Sequence, residues 1–377
     1  MHLVVVSHAC VTDVNQQVYC EIEQLGHRVD IIVPKNFIAP GLTTEPIKVR
    51  RWPDFKGRII EVPIVLNNSI PLHFYKKSLK KIISELNPDA IYVAEEPYSL
   101  SCFQVIRNSV PLKKAIGFYS AQNINKNYPF PIKKMENYVY DRSALAISIS
   151  ADVTNVLRTK GYKHSICEIP LGVDEQHFQI SCEQKMEARK ELSIPNEAFV
   201  VGFAGRIVEE KGVDVLCHAM KTCNENNVEM YLLIVGRGPL LKDIKILVTE
   251  LELTDSVRFV DNASHTDMPK WFNCMDVHVL PSKTKSNWRE QFGRVLIEAA
   301  SCGVPSIGST CGEIPKVLKT LSMDLVFEEG NVEELTRCLQ EAYQTSFSEE
   351  DIRSDVIASY GNKGIANKLV EAFERVI

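Results

Sequence analysis

The sequence predicts an α/β protein in which two doubly wound parallel sheets form two domains. A length of 377 residues suits two domains rather than one. Short apolar segments alternate with amphipathic helical patterns through the first half of the chain, and the second half repeats this alternation. Such an order is typical of parallel strands joined by helices that lie on both faces of a sheet.

The first half contains six short apolar segments that predict buried strands. These strands are predicted at 3–6, 28–33, 59–66, 90–94, 115–119 and 145–149. Between several of them, apolar residues recur at helical spacing, which predicts four helices. The helices are predicted at 13–25, 71–86, 97–109 and 132–143.

The second half continues with five strands and five helices. The strands are predicted at 199–204, 230–235, 256–260, 276–280 and 305–308. The helices are predicted at 211–225, 238–250, 265–274, 293–302 and 331–344. A boundary between the halves is predicted near 170–174, before a polar stretch at 175–187, and a last helical pattern occupies 361–377.

The charge of the chain is unevenly distributed. Its formal net charge is −5, but residues 1–180 carry 21 Lys and Arg against 17 Asp and Glu, whereas residues 181–377 carry 22 against 31. The overall acidity argues against nucleic acid as the main partner. The basic first half is compatible with an anionic acceptor or an anionic membrane surface.

The cysteines and the apolar runs suggest a cytoplasmic protein. The 11 cysteines are scattered and form no C-x-x-C pair, which indicates buried thiols in a reducing compartment and no zinc site. No apolar run reaches the roughly 18 residues of a membrane span. The chain enters its first strand directly, so no signal peptide is expected.

Two glutamates, Glu290 and Glu298, flank the start of one short predicted helix. Phe292-Gly293 reads as the end of a loop, the helix begins at Arg294, and Gly303 is its expected C-terminal stop. The first N–H groups of a helix can hold a phosphate. Carboxylates beside them can accept hydrogen bonds from the hydroxyls of a sugar.

A second motif lies upstream, where the apolar strand 199–204 runs into Gly205-Arg206 and Lys211 follows. A glycine at the end of a strand lets the backbone approach a ligand closely. Two cations at the mouth of such a turn suit a diphosphate. Each motif alone is compatible with solvated surface charges, and the pair of motifs is the stronger signal.

Together these motifs resemble those of the retaining glycosyltransferases of family 4, which have the GT-B fold. The resemblance covers essentially the whole chain and is strongest from Val201 to Pro315, where Val235-Gly236-Arg237-Gly238-Pro239 also looks like a family signature. It implies two facing Rossmann-like domains with an interdomain cleft. The implied divisions are an acceptor domain at 1–174, a donor domain at 175–360 and a terminal helix at 361–377 that crosses back to the first domain.

The resemblance also implies roles for the residues of both motifs. Arg206 and Lys211 would neutralise the leaving diphosphate, and Glu290 would place the donor sugar, so these three are the expected catalytic residues. Glu298 would accept hydrogen bonds from the ribose. The other expected donor-binding groups are Gly205, Gly236 and the backbone of Phe292, Gly293, Arg294 and Val295.

The first domain departs from the family pattern in two places. The loop after the first strand, residues 7–15, has no glycine, and Gln122 stands where many relatives carry a histidine. Gln122 can bind a sugar hydroxyl but cannot act as an acid or base. The polar candidates for the acceptor side are His8, Asn15, Gln122 and Asn123, with Asp13, Glu95 and Glu96 nearby. Each of them could instead cap a helix or satisfy a loop.

Four lysines within the predicted helix 71–86 allow two interpretations. These are Lys76, Lys77, Lys80 and Lys81. A basic amphipathic helix can lie on an anionic membrane. The favoured alternative is a surface helix with its apolar stripe in the core, with any membrane contact made by nearby loops.

The resulting hypothesis is a cytoplasmic, metal-independent retaining glycosyltransferase without a cofactor. Its partners would be a nucleotide-diphosphate sugar and a glycan, lipid-linked or other cell-envelope acceptor, with possible peripheral contact to an anionic membrane and no nucleic acid. Two alternatives share the fold: a nucleotide-sugar-binding or regulatory protein without turnover, and a nucleotide-sugar epimerase. A Rossmann dehydrogenase is disfavoured because no G-x-G-x-x-G opens a helix after the first strand.

Overall fold

The computed structural model describes residues 1–39, 43–226 and 230–377. They divide into two compact units. Unit 1 consists of Met1–Gly172 together with Asn362–Ile377, and unit 2 consists of Val173–Gly361. Each unit is an α/β domain with one sheet.

Unit 1 contains an eight-stranded sheet. Its strands are β1 (His2–Val6), β2 (Arg28–Lys35), β3 (Ile59–Val65), β4 (Phe74–Tyr75), β5 (Ala90–Val93), β6 (Ala115–Ser120), β7 (Leu145–Ser148) and β8 (Ser165–Glu168). They lie in the order β4-β3-β2-β1-β5-β6-β7-β8, and all neighbours are parallel except the antiparallel pair β3 and β4. The central strands are buried along their length, as expected for parallel strands covered on both faces.

Helices connect these strands. They are α1 (Gln17–Gln24), α2 (Leu79–Leu86), α3 (Leu100–Ser109), α4 (Ile132–Arg142) and α5 (Ala151–Thr159). The strand order reverses between β1 and β5, because the connection from β1 leads to β2 on one side and the connection from β5 leads to β6 on the other. Such a reversal opens a crevice at the carboxyl ends of the two strands.

Unit 2 repeats this design with six parallel strands. They are β9 (Phe199–Ala204), β10 (Met230–Val235), β11 (Val257–Val260), β12 (Val277–Leu280), β13 (Ser306–Ser309) and β14 (Val326–Phe327), in the order β11-β10-β9-β12-β13-β14. The helices are α6 (Cys182–Glu191), α7 (Val213–Glu225), α8 (Leu241–Glu250), α9 (Met268–Cys274), α10 (Arg294–Ser301), α11 (Ile314–Thr320), α12 (Val332–Gln344) and α13 (Glu349–Tyr360). The strand order of unit 2 reverses between β9 and β12.

The last helix, α14 (Asn362–Glu374), belongs to unit 1. It packs against α1, and its Phe373 ring is fully buried against Tyr92 of β5, with the ring centroids 5.5 Å apart. Gly117 of β6 makes room for this ring, because a Cβ at Gly117 would lie 2.8 Å from it. The two ends of the chain therefore build one domain core.

The prediction of a helix over 71–86 was wrong in its first half. Residues before Ser78 form a turn and the edge strand β4, and α2 begins only at Leu79. The side chain of Gln104 binds both the N–H and the carbonyl of Tyr75, at 2.8 and 2.7 Å, so it holds this edge in an extended conformation. In β4, therefore, Phe74 is exposed and Tyr75 is buried, whereas the buried apolar residues of the helical part begin at Leu79.

Several elements have no counterpart among the predicted ones, including α6, which begins in the polar stretch after the domain boundary. Only Ala188 and Arg189 of α6 are buried, so its sequence carries little helical periodicity. Its stability comes from a cap and from Arg189. The Ser181 hydroxyl accepts a hydrogen bond from the N–H of Gln184, and the Arg189 guanidinium binds Asp276 at 2.7 Å.

Candidate functional site

The charged motifs of unit 2 meet where its strand order reverses. Gly205-Arg206 follow β9 directly, and Pro281-Ser282-Lys283 follow β12 directly. Because β9 and β12 are parallel neighbours, both segments leave the sheet at the same edge. Ligands of doubly wound sheets bind at this location.

Glycines bring the strand ends of this edge into backbone contact. Gly236, which follows β10, has φ +142°, and a Cβ there would lie 1.9 Å from the carbonyl oxygen of Gly205. A Cβ at Gly238 would lie 2.1 Å from the carbonyl oxygen of Ile207. Packing alone thus explains why glycine occurs at 236 and 238. Because glycine has no side chain, the backbone at these two positions is also left uncovered.

Lys211 and Glu290 form an ion pair at this edge. The Lys211 Nζ lies 2.6 Å from the Glu290 Oε2, and the Ser282 hydroxyl donates to the same oxygen at 3.0 Å. The Lys211 ammonium also lies 5.3 Å from the centre of the Trp288 ring. The two motifs, 79 residues apart, therefore share one interaction centre.

Both members of this pair are largely shielded from water. The side chain of Lys211 is 16% exposed and that of Glu290 is 11% exposed. A close approach of backbone fixes Glu290 from behind, because its carbonyl accepts the N–H of Glu313 at 3.2 Å and a Cβ at Gly312 would lie 2.1 Å from the same oxygen. The carboxylate is thus presented by rigid surroundings.

Arg206 differs from Lys211 in its freedom. Its side chain is 62% exposed, and its ion pair with Glu210 is long, at 3.7 Å. A long ion pair with one highly exposed partner contributes little to stability. The Arg206 guanidinium can therefore leave Glu210 at small cost in order to bind an anion.

The N-terminus of α10, at Arg294, lies four residues after Glu290 in the chain. Gly293 precedes the helix in the left-handed conformation, with φ +81°, and Phe292 is buried against Tyr360. The first turn of α10 contains no acidic residue, so an anion would meet no side-chain charge of like sign there. The N–H groups of Arg294 and Val295 belong to this first turn.

Glu298 lies on α10 and is mostly buried. Its Oε1 is 3.3 Å from Nε of Arg294 and 4.0 Å from Nε2 of His265. Burial raises the pKa of Glu298 to about 7, although the charge of Arg294 lowers it. The carboxyl group is therefore divided between its neutral and ionised forms near neutral pH.

Sequence reasoning missed Ser282 and Lys283. Ser282 binds Glu290, and the Lys283 Nζ lies 2.9 Å from both carboxylate oxygens of Asp214. Their place after β12 corresponds to the place of Gly205-Arg206 after β9, and this position was the signal that could have found them. The buried His278 of β12 was missed as well. Burial and the charge of Lys211 lower the pKa of His278 to about 3, so it is neutral.

His8 and Glu95 meet at the strand reversal of unit 1. His8 follows β1 and Glu95 follows β5; Nδ1 of His8 lies 2.7 Å from Oε2 of Glu95, and the His8 N–H donates to Oε1 at 2.7 Å. Burial lowers the pKa of His8, but the charge and hydrogen bond of Glu95 outweigh burial and raise it above its ordinary value. Both residues were candidates for the acceptor side, but their pairing was not predicted.

Glu96 is bound by the next strand. It accepts hydrogen bonds from the Ser120 hydroxyl at 2.8 Å and from the Ala121 N–H at 2.7 Å. Burial raises its pKa to about 7, against the effect of these hydrogen bonds. This edge of unit 1 thus brings together the carboxyl groups of Glu95 and Glu96 and the imidazole of His8.

Gln122 is engaged by its own domain. Its Nε2 donates to the Tyr128 hydroxyl at 2.5 Å, and its Oε1 accepts from Lys160 at 2.8 Å. The side chain of Lys160 is only 7% exposed and binds Glu136 at 2.7 Å. Asn15 has a local role too, because its side chain donates to the carbonyl of Ala9 at 2.8 Å. Gln122 and Asn15, both expected on the acceptor side, therefore hold together parts of their own domain. Asn123 is buried.

Two further properties concern the described residues as a whole. Among residues 1–39, 43–226 and 230–377, no group of three or more His, Cys, Asp or Glu side chains is placed to hold a metal ion. Within the same ranges, no helix has the length and apolar character needed to cross a membrane.

Known proteins resemble both the sequence and the fold. The model of the family described as glycosyl transferases group 1 matches residues 184–357. A curated relative, the GDP-mannose-dependent monoacylated alpha-(1-6)-phosphatidylinositol monomannoside mannosyltransferase of Corynebacterium glutamicum, is 31% identical over 176 residues, which are 46% of this chain and 45% of the relative. The match therefore spans a little under half of the relative's length.

Solved structures resemble the whole chain. Sucrose-phosphate synthase from Thermosynechococcus elongatus has a TM-score of 0.73 at 18% identity and covers 100% of this chain and 98% of its own. Anabaena Alr3699/HepE in complex with UDP has a TM-score of 0.75 at 15% identity and covers 100% of both chains. The similarity at these identities concerns the fold. Residues 184–357 thus match the model of the glycosyl transferases group 1 family, within a chain that has the GT-B fold.

Proposed function

We propose that this chain transfers a sugar from a nucleotide-diphosphate sugar to an acceptor hydroxyl, with retention of the anomeric configuration, as a member of family 4. The observation that carries the proposal is the shielded pair of Lys211 and Glu290, which Ser282 supports at the strand reversal of unit 2. The pair lies in the segment that matches the glycosyltransferase family. The resemblance of the relatives spans only part of their length, so the activity of the whole chain is part of the proposal.

The donor would bind with its diphosphate at the cations and at the first turn of α10. Arg206 can leave its weak partner Glu210, and Lys211 can turn from Glu290 to a phosphate oxygen. Glu298 would accept hydrogen bonds from the ribose hydroxyls in its ionised form. Glu290 would orient the donor sugar through its carboxylate oxygens.

The chemical step would be a same-face displacement. A protein nucleophile is not part of this proposal, because Lys211 and Ser282 both donate to Oε2 of Glu290 and reduce its nucleophilicity. The leaving phosphate would instead take the proton of the acceptor hydroxyl. Negative charge develops on that phosphate, and fixed cations stabilise it. Arg206 and Lys211 can therefore supply the balancing positive charge without a metal ion.

The acceptor would be a glycan or a lipid-linked molecule in the cytoplasm or at the inner face of a membrane. The name of the Corynebacterium relative specifies a phosphatidylinositol mannoside as acceptor. In this chain, the acceptor side would include the pair of His8 and Glu95 at the strand reversal of unit 1. The names of the relatives differ in nucleotide, GDP-mannose in one and UDP in another, so the base and the sugar are matters for experiment.

Incubating the purified chain with UDP- and GDP-sugars, and following donor signals by saturation-transfer NMR, tests the proposal. We expect binding of at least one nucleotide sugar, followed by transfer to a glycan or lipid-linked acceptor with an unchanged anomeric configuration in the product. An inverted product would refute retention. Binding and turnover that are unaffected in both Lys211→Ala and Glu290→Gln would refute the site.

Binding without transfer is the second candidate. It is favoured by Gln122, which stands at the position of a family histidine and whose two polar atoms are already bound to Tyr128 and Lys160. Under this alternative, calorimetry would detect nucleotide-sugar binding, yet no acceptor from a broad panel would be modified. Interconversion of two nucleotide sugars without an acceptor would instead identify an epimerase.

A further inference from the structure

Unit 1 exposes an unusual concentration of apolar side chains beside lysines. Ten large apolar residues are exposed in the described part of the chain, and four of these fall within residues 66–74. We call this segment and the lysines after it the apolar–basic surface. Its members are Leu66 (54% exposed), Ile70 (39%), Leu72 (46%), Phe74 (36%), Lys76, Lys77, Lys80 and Lys81.

Buried and exposed side chains alternate in the last part of this segment. His73 and Tyr75 point inward and are almost completely buried, whereas Leu72, Phe74 and Lys76 are exposed. Nδ1 of His73 lies 2.7 Å from the carbonyl oxygen of Ile70. Successive side chains of a strand point to opposite faces, so Phe74 of β4 lies on the outer face while Tyr75 lies inside, and the flanking Leu72 and Lys76 are exposed as well.

Leu66 adds an independent observation. It has φ +54°, a left-handed conformation that is uncommon for residues other than glycine and asparagine. Its side chain is nevertheless large, apolar and turned to solvent. The fold itself would be served better by asparagine or glycine at this turn, so packing within unit 1 does not explain a leucine here.

The charge of the same segment has one sign. Residues 66–81 contain four lysines and no Asp or Glu. Lys81 has a neighbour in Glu85, but this pair is 3.9 Å apart and both side chains are largely exposed, so it neutralises little. The exposed apolar residues 66–74 are therefore followed directly in the chain by four exposed lysines, and the segment 66–81 carries positive charge alone.

We propose that the apolar–basic surface binds the interface of an anionic lipid bilayer. Leu66, Ile70, Leu72 and Phe74 would enter the boundary between headgroups and acyl chains, and the four lysines would contact the anionic headgroups. Exposed apolar side chains and cations together match the two attractions that such an interface offers. The surface lies in unit 1, so its binding does not depend on the proposed sugar transfer.

Sedimentation with vesicles tests the apolar component. We expect the full chain to bind vesicles of phosphatidylcholine that contain phosphatidylglycerol, without any donor present. Leu72→Gln with Phe74→Gln should weaken this binding about ten-fold, since the apolar side chains lose their place in the interface. The matched control is Ile246→Gln with Ile357→Gln, because both residues are exposed apolar residues of unit 2. It should bind the vesicles as the wild type does.

Leu66→Asn separates binding from folding. Asparagine tolerates the left-handed conformation, so the melting temperature should be unchanged or higher. Vesicle binding should nevertheless fall. Wild-type binding by a normally folded Leu66→Asn protein would remove Leu66 from the proposed surface.

Salt separates the apolar and electrostatic components. Lys76→Gln with Lys77→Gln should weaken binding at least ten-fold at low salt, because each lysine near the surface is worth about a five-fold change, and the difference should shrink at high salt. Lys190→Gln with Lys242→Gln is the matched control for the same change in net charge. Both control lysines are exposed in unit 2.

Three results would overturn the proposal. One is equal binding to vesicles with and without phosphatidylglycerol, and another is equal binding by the wild type and both surface variants. The third is a dimer in analytical ultracentrifugation that Phe74→Gln dissociates, which would identify a second copy of the chain as the occupant. Nucleotide-sugar binding should be the same in all these variants, so its loss would concern the proposed function and not this surface.

Discussion

Lys211 and Glu290 neutralise each other in the free protein, and this limits how a donor can bind. The carboxylate holds the ammonium at 2.6 Å in a shielded place. A diphosphate that binds Lys211 must compete with Glu290 for the same charge. The donor sugar can then bind the Glu290 oxygens that the competition releases, so binding of the two halves of the donor is coupled through this pair.

This coupling gives opposite expectations for the two residues. Lys211→Ala should weaken binding of a bare nucleoside diphosphate and lower transfer by about 2–4 kcal/mol in transition-state stabilisation, because it removes a charge-assisted contact. Glu290→Gln should bind the bare nucleotide at least as well as the wild type and still transfer poorly, because the sugar loses its carboxylate while Lys211 becomes available. Calorimetry and initial rates measure both effects.

The double variant provides the control for this interpretation. Residues in direct contact do not contribute additively. The transition-state stabilisation lost in the double variant Lys211→Ala with Glu290→Gln should therefore be smaller than the sum of the losses in the two single variants. A Glu290→Gln protein that binds the bare nucleotide weakly would contradict the assignment of Glu290 to the sugar.

Glu298 makes nucleotide affinity dependent on pH. Its pKa is raised to about 7, and hydroxyls of a ribose donate best to the ionised carboxylate. Affinity for a nucleoside diphosphate should therefore increase as the pH rises from about 6 to 8. The same titration on Glu298→Gln should lack this component, and the difference between the two proteins excludes the titration of the phosphate itself. Identical pH profiles would dissociate Glu298 from the nucleotide.

The stability of the free protein should change with pH in the opposite direction. A carboxyl group whose folded pKa is raised from 4.5 to about 7 contributes a stability that is present below pH 4.5 and is lost as the pH rises through 7. The free energy of unfolding of Glu298→Gln, relative to that of the wild type, should therefore increase by on the order of 2 kcal/mol from pH 5 to pH 8. Thermal unfolding at both pH values measures this gain, and a constant difference would contradict it.

At the residue scale, the sequence indicated the members of the donor motif and not their contacts. Lys211 and Glu290 were expected at different parts of a donor, and their direct pair depends on a chain separation of 79 residues that no local pattern encodes. The pair of His8 and Glu95 joins residues 87 apart for the same reason. Lys160, which holds Gln122, gave no signal because a lysine at the end of a helix is usually solvated.

At the scale of elements, the strands of both sheets were the predictable part. Parallel strands covered on both faces appear as continuous apolar runs, and β9 and β10 occupy the predicted ranges 199–204 and 230–235. The helix α10 was equally clear because Gly293 and Gly303 flank it, both with positive φ. Local sequence therefore specified the elements on which the candidate donor site is built.

The errors occurred where local pattern and tertiary environment disagree. Residues 71–78 carry apolar and basic residues that suit a helix, but Gln104 pairs with the backbone of Tyr75 and the segment becomes β4 with its preceding turn. In α6 the disagreement is reversed, since a polar segment is helical because Arg189 is buried against Asp276. Both outcomes depend on a contact between residues far apart in the sequence: Gln104 with Tyr75 in one case, and Arg189 with Asp276 in the other.

At the scale of the whole molecule, the two ends of the chain share one domain. The helix α14 completes unit 1 after the chain has formed unit 2. Asn362 at its start donates to the side chain of Gln17 at 3.3 Å, and Phe373 near its end fills the space between Tyr92 and Gly117. The core of unit 1 is thus incomplete until residues 362–377 have been added.

This arrangement predicts a domain-specific effect of Phe373→Ala. Removal of a fully buried ring costs about 3–5 kcal/mol through lost burial and a cavity, and here the cavity would lie beside β5 and β6 of unit 1. Hydrogen exchange followed by mass spectrometry should show faster exchange in α1, β5 and β6, and unchanged exchange in β9 and β10. Ile246→Ala is the control, because Ile246 is exposed on unit 2 and its loss should affect neither domain. Faster exchange in both units alike, or in α14 alone, would show that this helix is not an integral part of the unit 1 core.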